Sequence, residues 1–236
     1  MNKLSIALQP VTTVSSAGSG ASVDIAATRS AAKLRVVVAA LEGPDPSLTL
    51  IVETSPDELT WRPVDSVTME AAGSAELVVV GLDRYVRASW TLSGSYATIA
   101  VAGAARQLFA TAKDLEALSL GPSILDGVDA QKLNRALVHG SDLAAGYLGA
   151  QYDLPLVSWS DDLSGHTAAV AAYRLMASTG YAPEGSDEHI RTMYEDAIRW
   201  FERVSEGKIA PDGIVDSTPE ENAGGAFVYT KSLRGW

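Results

Sequence analysis

The side chains able to do chemistry in this sequence are few and scattered. Its three histidines are His139, His166 and His189, and none forms the H-E-x-x-H or H-x-x-x-H spacing that sets two ligands on one helix face. Glu188-His189 with Glu195 could hold a metal from one helix; ordinary surface helix charges account for them equally. The chain has no cysteine, which excludes disulfides, thiolate zinc sites, iron–sulfur clusters and a cysteine nucleophile. A Gly-x-Ser-x-Gly elbow is absent. Gly18-Ser-Gly20 lacks the third glycine of a dinucleotide loop and the Gly-Lys-Ser/Thr of a phosphate loop. Asp161-Asp162 offers paired carboxylates for acid–base work. A helix N-terminus attracts such residues through its dipole alone, and that structural reading is preferred. The expectation is a protein that is not an enzyme, with no catalytic residues, no cofactor and no metal.

The five tryptophans are the other candidates for a site. Alternation puts Trp90 in a core. Trp61, among Thr60, Arg62 and Pro63, is read either as a sugar-stacking platform or as an edge aromatic packed on its own domain. Trp200 lies beside Phe201 and so faces the flank of a helical stripe, where aromatics often pack on a partner. Trp236 ends a polar tail, suited to partner docking or to disorder.

The elements that must position these residues fall into two halves. Up to about residue 105 the period is two and β-branched residues abound. Strands are predicted at Leu4–Gln9, Ala21–Ala26, Leu34–Leu41, Leu48–Glu53, Thr60–Val64, Ala75–Val80, Tyr85–Thr91 and Tyr96–Val101. Turn chemistry separates them, as in Gly43-Pro44-Asp45-Pro46 and Ser93-Gly94-Ser95. Such strands suggest an antiparallel sandwich. Thr12–Ser22, rich in Ser, Thr, Gly and Ala, reads as a long loop or a flexible arm.

After Gly103 the period becomes helical. Thr111 with Asp114 can start a short helix. Asp129 can cap a long one to about Ala150, with a stripe of Leu133, Leu137, Ala144, Tyr147 and Leu148. A third, alanine-rich helix runs from about Leu163 to Ser178, capped by Asp161 or Asp162; its small residues would let a neighbour approach closely. The fourth, about Asp187 to Glu206, follows Ser186. Its stripe is Ile190, Met193, Tyr194, Ala197, Phe201 and Val204; Glu195 and Arg199 form an i,i+4 pair on its other face, and Gly207 ends it. From Ile209 the chain reads as a tail, with one possible strand at Phe227-Val-Tyr-Thr.

The fold class expected is therefore α+β in two domains. An N-terminal antiparallel β-sandwich, immunoglobulin-like or jelly-roll, spans residues 1–105. An all-α bundle of about four helices spans 106–208, and an extended tail 209–236.

Charge narrows the partners. The net charge is −11, and the front half carries net −3 and the back half net −8. Neither half has the basic excess of a nucleic-acid binder. The acidity reads as solubility, or as a surface past which DNA slides without sticking. No signal peptide and no membrane-length apolar stretch is visible, so a soluble, unexported protein is expected.

The back half also resembles a known family. The matching pieces stand in order: Phe109-Ala-Thr-Ala-Lys-Asp-Leu115, Leu133-Asn-Arg-Ala-Leu137, Ser141-Asp-Leu-Ala-Ala-Gly-Tyr-Leu148, Gln151-Tyr-Asp-Leu-Pro-Leu156, Ala172-Tyr-Arg-Leu175, Tyr194-Glu-Asp-Ala-Ile-Arg-Trp-Phe-Glu-Arg203 closing at Gly207, and Phe227-Val-Tyr-Thr-Lys-Ser-Leu-Arg-Gly-Trp236. Over about residues 107–236 this is similar to the neck proteins of Mu-like phages and prophages, the helical head–tail adaptors. Ala145 and Gln151 stand where the family usually has an acid and a base.

The resemblance implies a non-enzymatic head-completion protein of the virion neck, made in the host bacterial cytoplasm. It implies a ring of copies beneath the portal, with a downstream stopper or tail-terminator protein as a further partner and DNA only as passing cargo. Portal docking would fall to Phe227, Tyr229, Leu233, Arg234 and Trp236. Subunit contacts would fall to Tyr147, Tyr152, Arg174, Trp200 and Arg203, near the alanine-rich helix. The front half has no counterpart in the minimal family; it would brace a capsid vertex or hold a fibre. The rival expectation is a carbohydrate- or receptor-binding module acting through that β domain.

Overall fold

The computed structural model describes residues 3–118, 127–179 and 186–216. Nine antiparallel strands come first: β1 (Lys3–Val14), β2 (Gly18–Ser19), β3 (Val23–Asp24), β4 (Ala31–Glu42), β5 (Ser47–Ser55), β6 (Arg62–Met69), β7 (Gly73–Val80), β8 (Tyr85–Ser93) and β9 (Tyr96–Arg106). One sheet runs β1-β9-β4-β7 and the other β2-β8-β5-β6, with β3 also paired to β8. The two pack as the expected sandwich. In β5, Leu48, Leu50 and Val52 are buried, while Thr49, Ile51 and Glu53 between them are not. In β4, Leu34, Val36 and Val38 do the same from the facing sheet. Each such side chain contributes about 1.5–3 kcal/mol by leaving water. Trp90 lies in this core.

Among the described residues four helices follow: α1 (Ala112–Ala117), α2 (Ala130–Leu148), α3 (Asp161–Thr179) and α4 (Ser186–Ser205). At α1 the Asp114 carboxylate turns back to accept from the Thr111 backbone N–H at 2.6 Å and from its hydroxyl at 2.8 Å. Asp129 caps α2, accepting from the Lys132 N–H at 3.0 Å. Gly207, at φ +71°, closes α4. Its N–H donates to the Val204 carbonyl and that of Lys208 to Arg203, which satisfies carbonyls the helix leaves open. The helix α3 lies between α2 and α4.

Four readings of the sequence change. The Thr12–Ser22 stretch is no free arm: β1 continues to Val14, and β2 pairs Gly18 with Trp90 and Ser19 with Ser89. Backbone pairing orders a segment whose composition signals only a loop. The caps of the last two helices shift, since α3 already includes Asp161 and Asp162 in its first turn and α4 already includes Ser186. The back half is not purely helical, because β10 (Leu156–Ser158) pairs with β11 (Val215–Asp216). Finally, Ile209 to Asp216 is not part of a free tail: Ile209 and Ile214 pack on the bundle core. Phe227–Trp236 lies outside the described residues.

Sandwich and bundle share a second core. Ala31 and Val78 of the β1-β9-β4-β7 sheet cluster with Leu108, Ala136, Leu137, Val138 and the α3 alanines. Buried Gln107 bridges to β10, donating to the Leu156 carbonyl at 2.6 Å and accepting from its N–H at 2.8 Å. Ser141 accepts from the Phe109 N–H. Asp142 of α2 takes both Arg106 and, at 3.5 Å, Lys3.

Candidate functional site

Helix α4 is amphipathic, so its inner stripe fixes what its flanks can present. Phe201, Ala197 and Val204 are fully buried. Around Phe201 an aromatic group assembles from three helices. Tyr147 of α2 stacks parallel to it at 5.9 Å, and Trp200 meets it edge-on at 5.2 Å. His166 of α3 stacks on Trp200 at 4.5 Å. Tyr147, Trp200 and His166 are each half-buried. Burial pushes the His166 imidazole below its ordinary pKa, against the pull of Asp162 and Asp196. Tyr173 and Tyr194 stack in the same way at 4.3 Å, nearer the other end of α3 and α4.

The outer face of α4 is a charge ladder. Arg191 meets Glu195 at 2.9 Å, and Arg199 meets Asp196 at 3.0 Å and Glu195 at 3.7 Å. So Glu195 serves two arginines, with the expected Arg199 contact the looser. Beside the ladder, Tyr194 and Ile198 floor a shallow depression of about 260 Å³.

The structure thus brings Tyr147 and Trp200 together around Phe201. Tyr152 is half-buried near β11; burial first, then Asp216, raises its hydroxyl pKa. Arg174 and Arg203 are exposed, and neither has a carboxylate within ion-pair distance among the described residues. They are not adjacent: Arg174 follows Tyr173 near one end of the helix pair, Arg203 follows Phe201 near the other. The small α3 residues let elements of the chain itself approach closely: Ala168, Ala169, Ala171 and Ala172 are buried in the cores shared with the chain's own helices. Gln151, at the position usually basic in the resembled family, donates to the Ser205 carbonyl at 2.8 Å. Phe227, Tyr229, Leu233, Arg234 and Trp236 lie outside the described residues.

In the sandwich, Trp61 is packed on its own domain. The Arg87 guanidinium covers its ring at 4.1 Å and pairs with Glu53 at 2.8 Å, and the indole N–H donates to the Glu58 carbonyl. Among the described residues no group of three His, Cys, Asp or Glu side chains converges to hold a metal. No described helix is long and apolar enough to cross a membrane.

Sequence reasoning missed the polar residues of the junction: Gln107, Gln131, Asn134, Ser141 and Asp142. One signal was available, since Gly140-Ser141 interrupts the apolar stripe of α2 where close packing occurs.

Comparison with known proteins bears on the back half. Residues 104–230 match the model of the family described as bacteriophage Mu, Gp36. Over 118 residues the chain is 30% identical to the Mu-like prophage FluMu protein gp36 of Haemophilus influenzae, which spans 50% of this chain and 79% of that protein. Over 112 residues it is 31% identical to gene product J of Escherichia phage Mu, spanning 47% and 74%. Among solved structures, the PBSX exported protein XepA aligns at 17% identity and a TM-score of 0.34, over 44% of this chain and 37% of that one.

Proposed function

This chain belongs to the bacteriophage Mu Gp36 family through its helical half, and from that premise we propose that it is a structural head–tail adaptor of a tailed phage. In this reading copies form a ring beneath the portal, extend the DNA channel and join head to tail, and no reaction is performed. The supporting observation is the extent of the match. It takes up 79% of the Haemophilus relative, leaving too little of that protein for a sandwich of about a hundred residues, so the helical bundle is the common working part and the sandwich is an addition.

The bundle surface suits contacts between copies. Arg174 and Arg203 are exposed guanidiniums without a carboxylate in the chain's described part, on a protein of net charge −11. Carboxylates of a neighbouring copy would complete them, and arginine is enriched at such interfaces for its planar fork. Half-buried Tyr147 and Trp200 supply aromatic surface toward the Arg203 end, around Phe201, and Tyr152 is half-buried as well. A head-to-tail contact of this kind closes into a ring when the rotation per subunit closes. The terminal Phe227, Tyr229, Leu233, Arg234 and Trp236 are assigned to the portal.

Electron microscopy of the purified protein tests this. Rings should form, and Arg174→Glu with Arg203→Glu should abolish them while circular dichroism stays unchanged. A chain that stays monomeric at every concentration and is missing between portal and tail in the particle would overturn it.

A further inference from the structure

An open sandwich has two edges, and one of them here is closed by the bundle. The strand β7 is the outer strand of the β1-β9-β4-β7 sheet, and β6 the outer strand of the facing sheet. Both border the same open side, where β6 leads into β7. An edge strand carries unpaired N–H and C=O groups that can pair with a strand of another molecule.

On β7 these groups are taken at Val78. Its N–H donates to the Gln131 side-chain oxygen at 3.1 Å. Its carbonyl accepts from the Asn134 amide at 2.9 Å and from the Gln131 amide at 3.3 Å. The Gln131 amide also reaches Asp65 of β6, so one side chain spans the edges of both sheets. One turn along α2, Arg135 approaches Glu76 of β7 at 3.9 Å. The Val78 side chain, buried, points away from the sandwich core into the cluster formed with α2 and α3.

We infer that the first turns of α2 are a lock on the open side of the sandwich, in which the Gln131 and Asn134 amides replace a missing neighbour strand and withhold β7 from pairing with a second copy of the chain. The two amides mimic a peptide group: one oxygen accepts, two nitrogens donate, as the next strand of the sheet would. This lock also fixes the sandwich to the bundle as one body. The inference stands on the junction alone and holds whether or not the bundle forms rings.

Amide hydrogen exchange on the full chain, read by NMR, tests it. In the wild type the Val78 amide should be protected to the same degree as interior β4 amides such as Val36. Gln131→Ala with Asn134→Ala should speed Val78 exchange about tenfold, the effect of one lost buried hydrogen bond. It should also produce dimers whose contact, mapped by cross-linking, runs through residues 73–80. Asp142→Ala, at the other part of the junction, should leave Val78 protection as it was. If Val78 in the wild type exchanges like an exposed edge amide, no lock exists; that measurement needs no variant to fold. If the double variant folds with Val78 still protected and no contact through β7, the inference also fails.

Discussion

His166 shows how a single side chain ties the helical half to its solution conditions. Its ring lies on Trp200, with Phe201 behind, and burial depresses its pKa more than Asp162 and Asp196 raise it. The unfolded chain therefore binds a proton at this residue more readily than the folded one. The stability it lends is full above the ordinary imidazole pKa of 6.5 and drains as pH falls below that value. His139 shifts the same way, by burial and by nearby Arg174, against Asp142. The melting temperature should accordingly fall between about pH 7.5 and about pH 5.5. His166→Phe keeps an aromatic ring on Trp200 and removes one titration, so its melting temperature should fall less over the same range. Identical pH profiles for the two proteins would show that His166 does not titrate against folding.

At the scale of elements, the close crossing of α2 on α3 depends on one missing methyl group. A Cβ on Gly140 would sit 2.8 Å from the Thr167 carbonyl oxygen and 3.3 Å from the Ala171 Cβ. A Cβ on Gly146, six residues further along α2, would meet nothing within 4 Å. Gly140→Ala should therefore destabilise by about 1–3 kcal/mol, because the helices must move apart. Gly146→Ala should stabilise by roughly 0.5–1 kcal/mol through helix propensity. Urea titration of the two variants reads both, and equal effects would mean that the crossing is looser than its geometry implies.

The same scale shows what the sequence reveals. Strand alternation, helical stripes and cap residues are local, so eight of the strand segments and the four described helices were legible from period, composition and caps. Their ends were less so. Ala31-Ala32 and Ala102 to Ala105 extend β4 and β9 with residues that carry little strand signal. Gly18-Ser19 becomes a strand only because β8 lies beside it. Leu156–Ser158 pairs with a segment some sixty residues away, which no local pattern encodes. The candidate contact residues on α2 and α4 were legible as flank aromatics and exposed arginines. Gln131 and Asn134 were not, since on a helix wheel they look like any solvated polar face.

At the scale of the molecule, that invisible junction decides whether sandwich and bundle behave as two domains or one. Ala31 and Val78 belong to the sandwich by sequence but are buried in a cluster with α2 and α3. Unfolding either part would leave the other with an uncovered apolar face, and would strip partners from Val78 and from the Arg106–Asp142 pair. Uncovered polar groups and exposed apolar surface both raise the free energy of a half-unfolded state, so that state should be scarcely populated. Calorimetry of the full chain should show one transition, with the calorimetric enthalpy equal to the van't Hoff enthalpy. Protein concentration must be held fixed, because any assembly would stabilise the folded form by mass action. Two separated transitions in the wild type would mean that the bundle needs nothing from the sandwich. In the Gln131→Ala with Asn134→Ala variant the ratio of the two enthalpies should rise above one, since loosening the junction lets each half melt at its own temperature.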